Sequence, residues 1–352
     1  MKMERTYHKI GIAGFGVRGQ QLASAIIHQL PEFGKVVACA EIRKNPVFSD
    51  DISTRCPDLR VYDDYKKFLK DREIDTVLVT TYETTHRQIT EDAIRAGKAV
   101  LCDKPVVPSL EEAEELYRFV TSRPCFFQVG LNLPSFPVPL KLKELLDAGK
   151  IGRVIAARGT CDVGAGFGRD IILNKFGGKR GHFITAKLTH DTDLMQHLLG
   201  TYAEEVWGKT ANFLWRRNGE KPDTDDTGVM AGVMCSGVLF SEWLTSCGAK
   251  YERSFHFFGT KGELSANLHS ETVTFLSSTG EQETIPAPNR HGGSHFGADK
   301  AMLTDFLDYA DSGVKQARWP GRILSSVMVA MAALEGKTVK TGEWYRRITG
   351  EK

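Results

Sequence analysis

The chain has 352 residues, a length that suits two domains of ordinary size. Hydrophobic residues make up 41% and charged residues 26%, which excludes a mainly disordered or fibrous chain. Lys plus Arg number 46 against 44 for Asp plus Glu, and a net charge of +2 gives no general attraction to nucleic acid or an anionic membrane. No apolar run approaches the ~18 residues of a membrane span. The charged opening MKMERTYHK leaves no room for a secretory signal, so a cytoplasmic location is expected. Seven scattered cysteines, with no CxxC pair, read as reduced core thiols.

Residues 8–128 alternate short apolar runs with helical stretches. Strands are predicted at 9–13, 35–40, 75–81, 98–102 and 125–129, with helices at 18–30, 65–70, 86–96 and 110–120. Pro31 ends the first helix, Gly97 closes the third, and Ser109 caps the fourth with glutamates in its first turn. Buried runs separated by helices imply βαβ units and a parallel sheet.

From about residue 150 the rhythm changes. A helix at 138–149 and a strand at 154–161 precede a helix at 189–199, for which Thr189 is the expected N-cap. β-like runs follow at 205–213, 228–234, 237–247, 254–259, 263–267 and 272–276, with a hairpin turn at 259–262. Strands in succession favour an antiparallel or mixed sheet. Helices at 300–312 and 322–336 close the chain, and 216–226 reads as a surface connection. The expected division is 1–128 and 129–352.

The first motif is Gly14-Phe15-Gly16-Val17-Arg18-Gly19, entered by a strand and left by a helix. Glu41 ends the next strand, 22 positions after Gly19. That is the dinucleotide-binding arrangement: Gly14 permits the tight turn, Gly16 the approach of pyrophosphate, and Gly19 close helix–strand packing. The competing reading, a bare βα turn, explains neither the acid nor its position. Glu41 suits ribose hydroxyls and repels a 2′-phosphate, so NAD is expected. Arg43 and Lys44 stand nearby as cations that would suit NADP, the alternative cofactor.

Cys102-Asp103-Lys104-Pro105 directly follows a buried strand, where a parallel sheet presents its ligand crevice. A lysine there can bond a substrate hydroxyl and stabilise charge as its proton leaves. Standing alone, the tripeptide is an ordinary turn. The third motif is KLTHDTDLMQHLLG, residues 187–200. With Thr189 as cap, His190 falls in the first helical turn, with Asp193 one turn on and able to fix its ring. The helix dipole and a Lys187 pointing into the site would then keep His190 neutral; the alternative is that Lys187 points to solvent and Asp193 dominates. His197 reads as a packing or surface histidine.

Together, GFGVRG, TTYETTHRQITEDAIRAGKAVLCDKPV, GLNLPSFPVPLKLKELLDAGKIGRV, KLTHDTDLMQHLLG and FFGTKGEL resemble the glucose–fructose oxidoreductase / inositol dehydrogenase (Gfo/Idh/MocA) family, over nearly the whole chain. The resemblance implies an α/β architecture: an N-terminal Rossmann fold and a C-terminal α/β domain with a large open, mostly antiparallel sheet. It implies NAD(P)-dependent hydride transfer at a ring carbon of a sugar or polyol, and a homo-dimer or homo-tetramer packed through the open sheets. By position it makes Lys104 the catalytic lysine, His190 the acid/base, and Asp193 its partner. It places Thr81, His86 and Asp103 beside the cofactor, and Lys187, His291 and His295 as candidate substrate contacts. Ala186, Pro134 and Tyr82 depart from the usual family residues and leave the substrate open within that class.

No metal is expected, because the loop with His291 and His295 lacks a third ligand and 223–234 lacks a calcium loop's closing glutamate. Two other functions use the same fold. One is redox-neutral elimination or glycoside cleavage through a transient keto-sugar; the other is a non-catalytic NAD-sensing regulator, which has no need of an acid/base pair.

Overall fold

The computed structural model describes residues 6–44, 46–176, 181–216, 219, 222–289, 292, 294–313, 327, 329–332 and 334–350. The chain forms two compact units, Met1–Asn132 with Gly293–Pro320, and Leu133–Gly292 with Gly321–Lys352.

The first unit is built on six parallel strands: β1 (His8–Ala13), β2 (Gly34–Ala40), β3 (Arg60–Tyr62), β4 (Thr76–Val79), β5 (Ala99–Cys102) and β6 (Phe127–Val129). Their spatial order is β3-β2-β1-β4-β5-β6. The order reverses between β1 and β4, the switch point at which such sheets hold ligands beyond their carboxyl ends. Helices α1 (Val17–Gln29), α2 (Asp50–Arg55), α3 (Tyr65–Leu69), α4 (Glu83–Arg95) and α5 (Leu110–Thr121) make the connections. Ser109 caps α5 as expected, its hydroxyl accepting from Glu112 N at 3.2 Å. The short elements α2 and β3 carry too little apolar periodicity to be read from sequence: Ile52 is the one buried residue of α2.

A returning helix, Ala298–Ser312, also belongs to this unit. Its Met302, Leu303, Phe306 and Leu307 share one core with Ile10, Ile12, Leu22 and Ile26 of β1 and α1. A single cut after residue 128 puts this helix with the other unit. Its apolar stripe shows that it packs, and nothing in its sequence shows where.

The second unit contains α6 (Pro137–Asp147), α7 (Ala165–Lys175), α8 (Phe183–Leu199) and eight strands. The strands are β7 (Val154–Val163), β8 (Ala203–Ala211), β9 (Thr227–Met234), β10 (Leu239–Thr245), β11 (Tyr251–Gly259), β12 (Gly262–Asn267), β13 (Thr272–Ser277) and β14 (Gln282–Pro286). They form one sheet in the order β14-β13-β12-β11-β7-β10-β9-β8. β7 and β10 run parallel, and the other neighbours are antiparallel. The predicted hairpin is present, with Gly259 paired to Gly262. Of the predicted helix 322–336, residues 322–326, 328 and 333 lie outside the described residues, while 327, 329–332, 334 and 335 are helical, and a helix at Thr341–Thr349 follows.

α8 packs on β7 and β10, and α6 on β12 and β13. Strand alternation sends Ala157, Gly159 and Cys161, then Phe240 and Leu244, to the buried side. The other phase of β10 leaves Leu239 61% and Trp243 55% exposed. Among the described residues no helix is long and apolar enough to cross a membrane.

Candidate active site

In the first unit the glycine loop closes β1 onto α1, and its three glycines meet three different constraints. Gly14 has φ +87°, and a Cβ there would lie 2.7 Å from Thr81 N. A Cβ on Gly19 would lie 2.5 Å from Gly14 O, so only glycine lets α1 sit this close. A Cβ on Gly16 would meet nothing within 4 Å, which marks the open side of the loop. Thr80 Oγ1 donates to Gly14 O at 2.6 Å and holds the turn. Gly16 caps α1 without a side-chain acceptor, so the first-turn amides suit a pyrophosphate. Phe15 turns fully into the core, edge-on to Phe48, so only its backbone belongs to the loop surface. Val17 is exposed at the first turn.

Glu41 follows β2 and is buried. Its carboxylate accepts from Arg43 N at 3.1 Å and from the Arg43 guanidinium at 2.8 Å. Burial pushes this carboxyl up, but the Arg43 bonds outweigh it and hold it below its ordinary value. Arg43 also donates to Phe15 O at 3.3 Å, so it lies between the acid and the glycine loop. A carboxylate offers about four acceptor positions, which leaves capacity for ribose hydroxyls. The loop glycines and Glu41 thus fit a dinucleotide.

Asp103 and Lys104 follow β5, both half-buried. His86, buried on α4, lies with Nδ1 2.8 Å from Pro105 O and Nε2 3.0 Å from Thr81 O. It joins the loop after β4 to the loop that carries Lys104. Burial pushes its imidazole below the ordinary value, against the pull of Asp103 and the two carbonyls.

Arg18 does not extend as a free cation from the glycine loop. Its two terminal nitrogens donate to both carboxylate oxygens of Asp299, at 2.9 and 3.0 Å, and Nε reaches Asp103 Oδ1 at 3.4 Å. Asn132 donates to Asp299 at 2.8 Å, and His295 Nδ1 lies 2.8 Å from the same carboxylate. Burial raises the Asp299 carboxyl, yet His295 and Arg18 together hold it far below the ordinary range. His295 and Phe296 adopt left-handed backbone angles, φ 52° and 55°, which are strained for side chains with a Cβ. His291 lies outside the described residues. Neither Asp299 nor Asn132 is legible from sequence as a partner of the glycine loop, because both are remote from it along the chain.

In the second unit Lys187, His190 and Asp193 share α8, which corrects the expected helix start. His182, not Thr189, is the N-cap, its Nδ1 accepting from Ile184 N at 3.2 Å. The Thr189 hydroxyl instead donates to Thr185 O at 2.7 Å, inside the helix. A threonine is read as a cap because its hydroxyl bonds backbone, and here it bonds backwards rather than forwards. His190 therefore sits two turns in, beyond the reach of the helix-end field. His190 and Lys187 are half-buried and Asp193 is buried.

Beneath α8 lies a buried charged cluster. Asp191 Oδ1 pairs with Arg253 Nε of β11 at 2.9 Å, each side chain 4% exposed. Arg253 also donates to Cys161 Sγ at 3.2 Å. Glu242 of β10 lies close by, and burial first, then the Asp191 charge, push its carboxyl well above the ordinary range. Charged residues in the inward phase of Phe240-x-Glu242-x-Leu244 and Arg253-x-Phe255-x-Phe257 were the available signal. Among the described residues no three His, Cys, Asp or Glu side chains are grouped to hold a metal.

Two family models match the chain: the GFO/IDH/MocA oxidoreductase family with NAD-binding Rossmann fold over residues 8–131, and the GFO/IDH/MocA C-terminal domain over 140–265. An uncharacterized oxidoreductase of Schizosaccharomyces pombe is 29% identical over 147 residues, 42% of this chain and 40% of that protein. Inositol 2-dehydrogenase 2 of Saccharopolyspora erythraea is 30% identical over 221 residues, 61% of each chain. These matches therefore span less than two thirds of either relative. Among solved structures, levoglucosan dehydrogenase in complex with NADH is similar at TM-score 0.82 and 19% identity, covering 96% of this chain and 99% of that one. At that identity the likeness speaks for the fold.

Proposed function

The chain belongs to the GFO/IDH/MocA oxidoreductase family, and from that premise we propose that it is an NAD-dependent dehydrogenase acting on a CH–OH group of a sugar or cyclic polyol. The observation that carries the reading is the glycine loop, open at Gly16 and closed at Gly14 and Gly19, with Glu41 at the end of the next strand. The names of the relatives, an inositol dehydrogenase among them, support the substrate class.

In this reading Gly16 and the first-turn amides of α1 hold the pyrophosphate, and Glu41 the adenosine ribose. NAD, when bound, supplies the hydride acceptor. Lys104 donates a hydrogen bond to the reacting hydroxyl and stabilises the charge that grows on its oxygen. His190 accepts the hydroxyl proton, so the alcohol carbon leaves as a carbonyl. Asp193 orients His190 from one turn further on. His86 holds the Lys104 loop, and His295, fixed by Asp299, is a candidate substrate contact. The exposed side of the second unit's sheet is the contact surface of a homo-dimer or homo-tetramer.

The test is a panel of inositols, sugars, sugar acids and glycosides incubated with NAD, followed at the NADH band and by product analysis. NADH accumulating with one keto-product is the expected result. A product without NADH would replace dehydrogenation by redox-neutral cleavage. NADH binding without turnover on any substrate would favour a sensing role. Titration by fluorescence should give tighter binding of NADH than of NADPH, and the reverse order would assign Arg43 and Lys44 to a 2′-phosphate.

A further inference from the structure

Glu242 is 1% exposed, and neither of its carboxyl oxygens has a hydrogen-bond partner among the described residues. In strand register it stands beside Gly159 of β7, and Gly159 in turn faces Phe255 of β11. A Cβ on Gly159 would come within 3.3 Å of Glu242 Cγ, so the glycine makes room for the acid's stem on the face that α8 covers. The charges that act on Glu242 are Asp191 from α8 and Arg253 from β11, and the titratable groups around that pair are Lys187 from α8, Tyr251 from β11 and Cys161 from β7. From β9, the paired residue is the apolar Met230. A buried carboxyl without partners is costly as an anion and tolerable as a neutral acid.

We propose that Glu242 is a positioning residue for His190, acting through the Asp191–Arg253 pair on the underside of α8. Consecutive helical residues differ by about 100° around the axis. Asp191 therefore points to the sheet and anchors the turn, while His190 stands on the half-buried flank of that turn. With Glu242 neutral, one carboxylate faces one guanidinium and the anchor is balanced. With Glu242 ionised, two carboxylates compete for Arg253, and Asp191 shifts together with the turn that carries His190. Folding stability then falls as pH rises from the ordinary carboxylate range toward the raised value, because the unfolded chain releases this proton first.

The inference concerns the same site as the proposed dehydrogenase, and its test does not depend on turnover. Glu242→Gln keeps the shape and removes the titration; Glu242→Met is the second variant, should the amide fail to fold. Thermal unfolding from pH 4 to 10 should show the wild type losing stability against either variant by several degrees, beginning in the ordinary carboxylate range. The His190 ring signal, assigned in nuclear magnetic resonance spectra with His190→Asn, should show in the wild type a displacement that keeps step with the loss of stability and that both variants lack. With a substrate in hand, a fall of kcat that accompanies the wild type's loss of stability should be absent in Glu242→Gln. Parallel unfolding profiles would overturn the proposal. A stability gap that opens without movement of His190 would also overturn it, leaving Glu242 a structural acid. If no polyol is oxidised, the dehydrogenase reading fails, while unfolding and the His190 signal still decide the role of Glu242.

Discussion

Two glycines three residues apart carry opposite expectations. Gly16→Val places its side chain in open space, so the melting temperature should stay unchanged in calorimetry, while NADH affinity falls at least tenfold, about 1.4 kcal/mol. Gly19→Ala puts a methyl 2.5 Å from Gly14 O and should lower stability as well as affinity. The Arg18–Asp299 pair is another residue-scale lever. Asp299 is 1% exposed, so Arg18→Met takes the guanidinium from a buried carboxylate that keeps Asn132 and His295, and should cost about 1.5–3 kcal/mol in denaturant unfolding. Its pH dependence follows from the direction of the shift. Asp299 is held below its ordinary value, so its contribution is fully present above about pH 4 and is lost as pH falls through its folded value. Asp299→Asn should flatten the acid limb of the stability profile, and an unchanged limb would show that other carboxylates dominate it.

Among elements, α5 and α8 show how far a local signal reaches. Ser109 was legible as a cap because its serine, its first-turn acids and its apolar stripe all agree. Ser109→Ala should cost ~1 kcal/mol of stability, measured by thermal melts. Thr189 offered a cap of similar appearance but lies inside α8, because Phe183, Ile184 and Ala186 extend the buried face one turn and more upstream. Thr189→Ala should therefore cost no more than a single internal hydrogen bond, roughly 0.5–1.5 kcal/mol. The glycine turn, the strand-end positions of Glu41 and Lys104 and the parallel sheet could be read because each is local: a turn, a strand end, a periodicity. The Asp299 hub and the Asp191–Arg253–Glu242 cluster could not, since each assembles from segments far apart in sequence and only the fold brings them together.

At the scale of the molecule, the second unit's sheet leaves Leu239, Trp243 and Trp207 on the side away from α8. Exposed apolar faces of more than a few hundred Å² usually mark interfaces. Light scattering at micromolar concentration should give a dimer or tetramer, and Trp243→Glu should shift it toward monomer with an unchanged far-ultraviolet circular dichroism spectrum. A monomeric wild type would reject the sheet as an interface.

The return of Ala298–Ser312 to the nucleotide-binding unit has a consequence for how the chain is made. Met302 and Phe306 fill the same core as Ile10 and Leu22, so that core stays unfinished after its last strand has been synthesised. Some ~170 further residues must leave the ribosome first, roughly 10–35 s at ordinary elongation rates. During that interval the flank of α1 that later receives this helix is bare apolar surface, a natural target for a chaperone on the nascent chain. Ribosomes stalled at residue 290 should hold the glycine-loop unit in a protease-sensitive form, and those stalled past 345, with the exit tunnel cleared, in a resistant one.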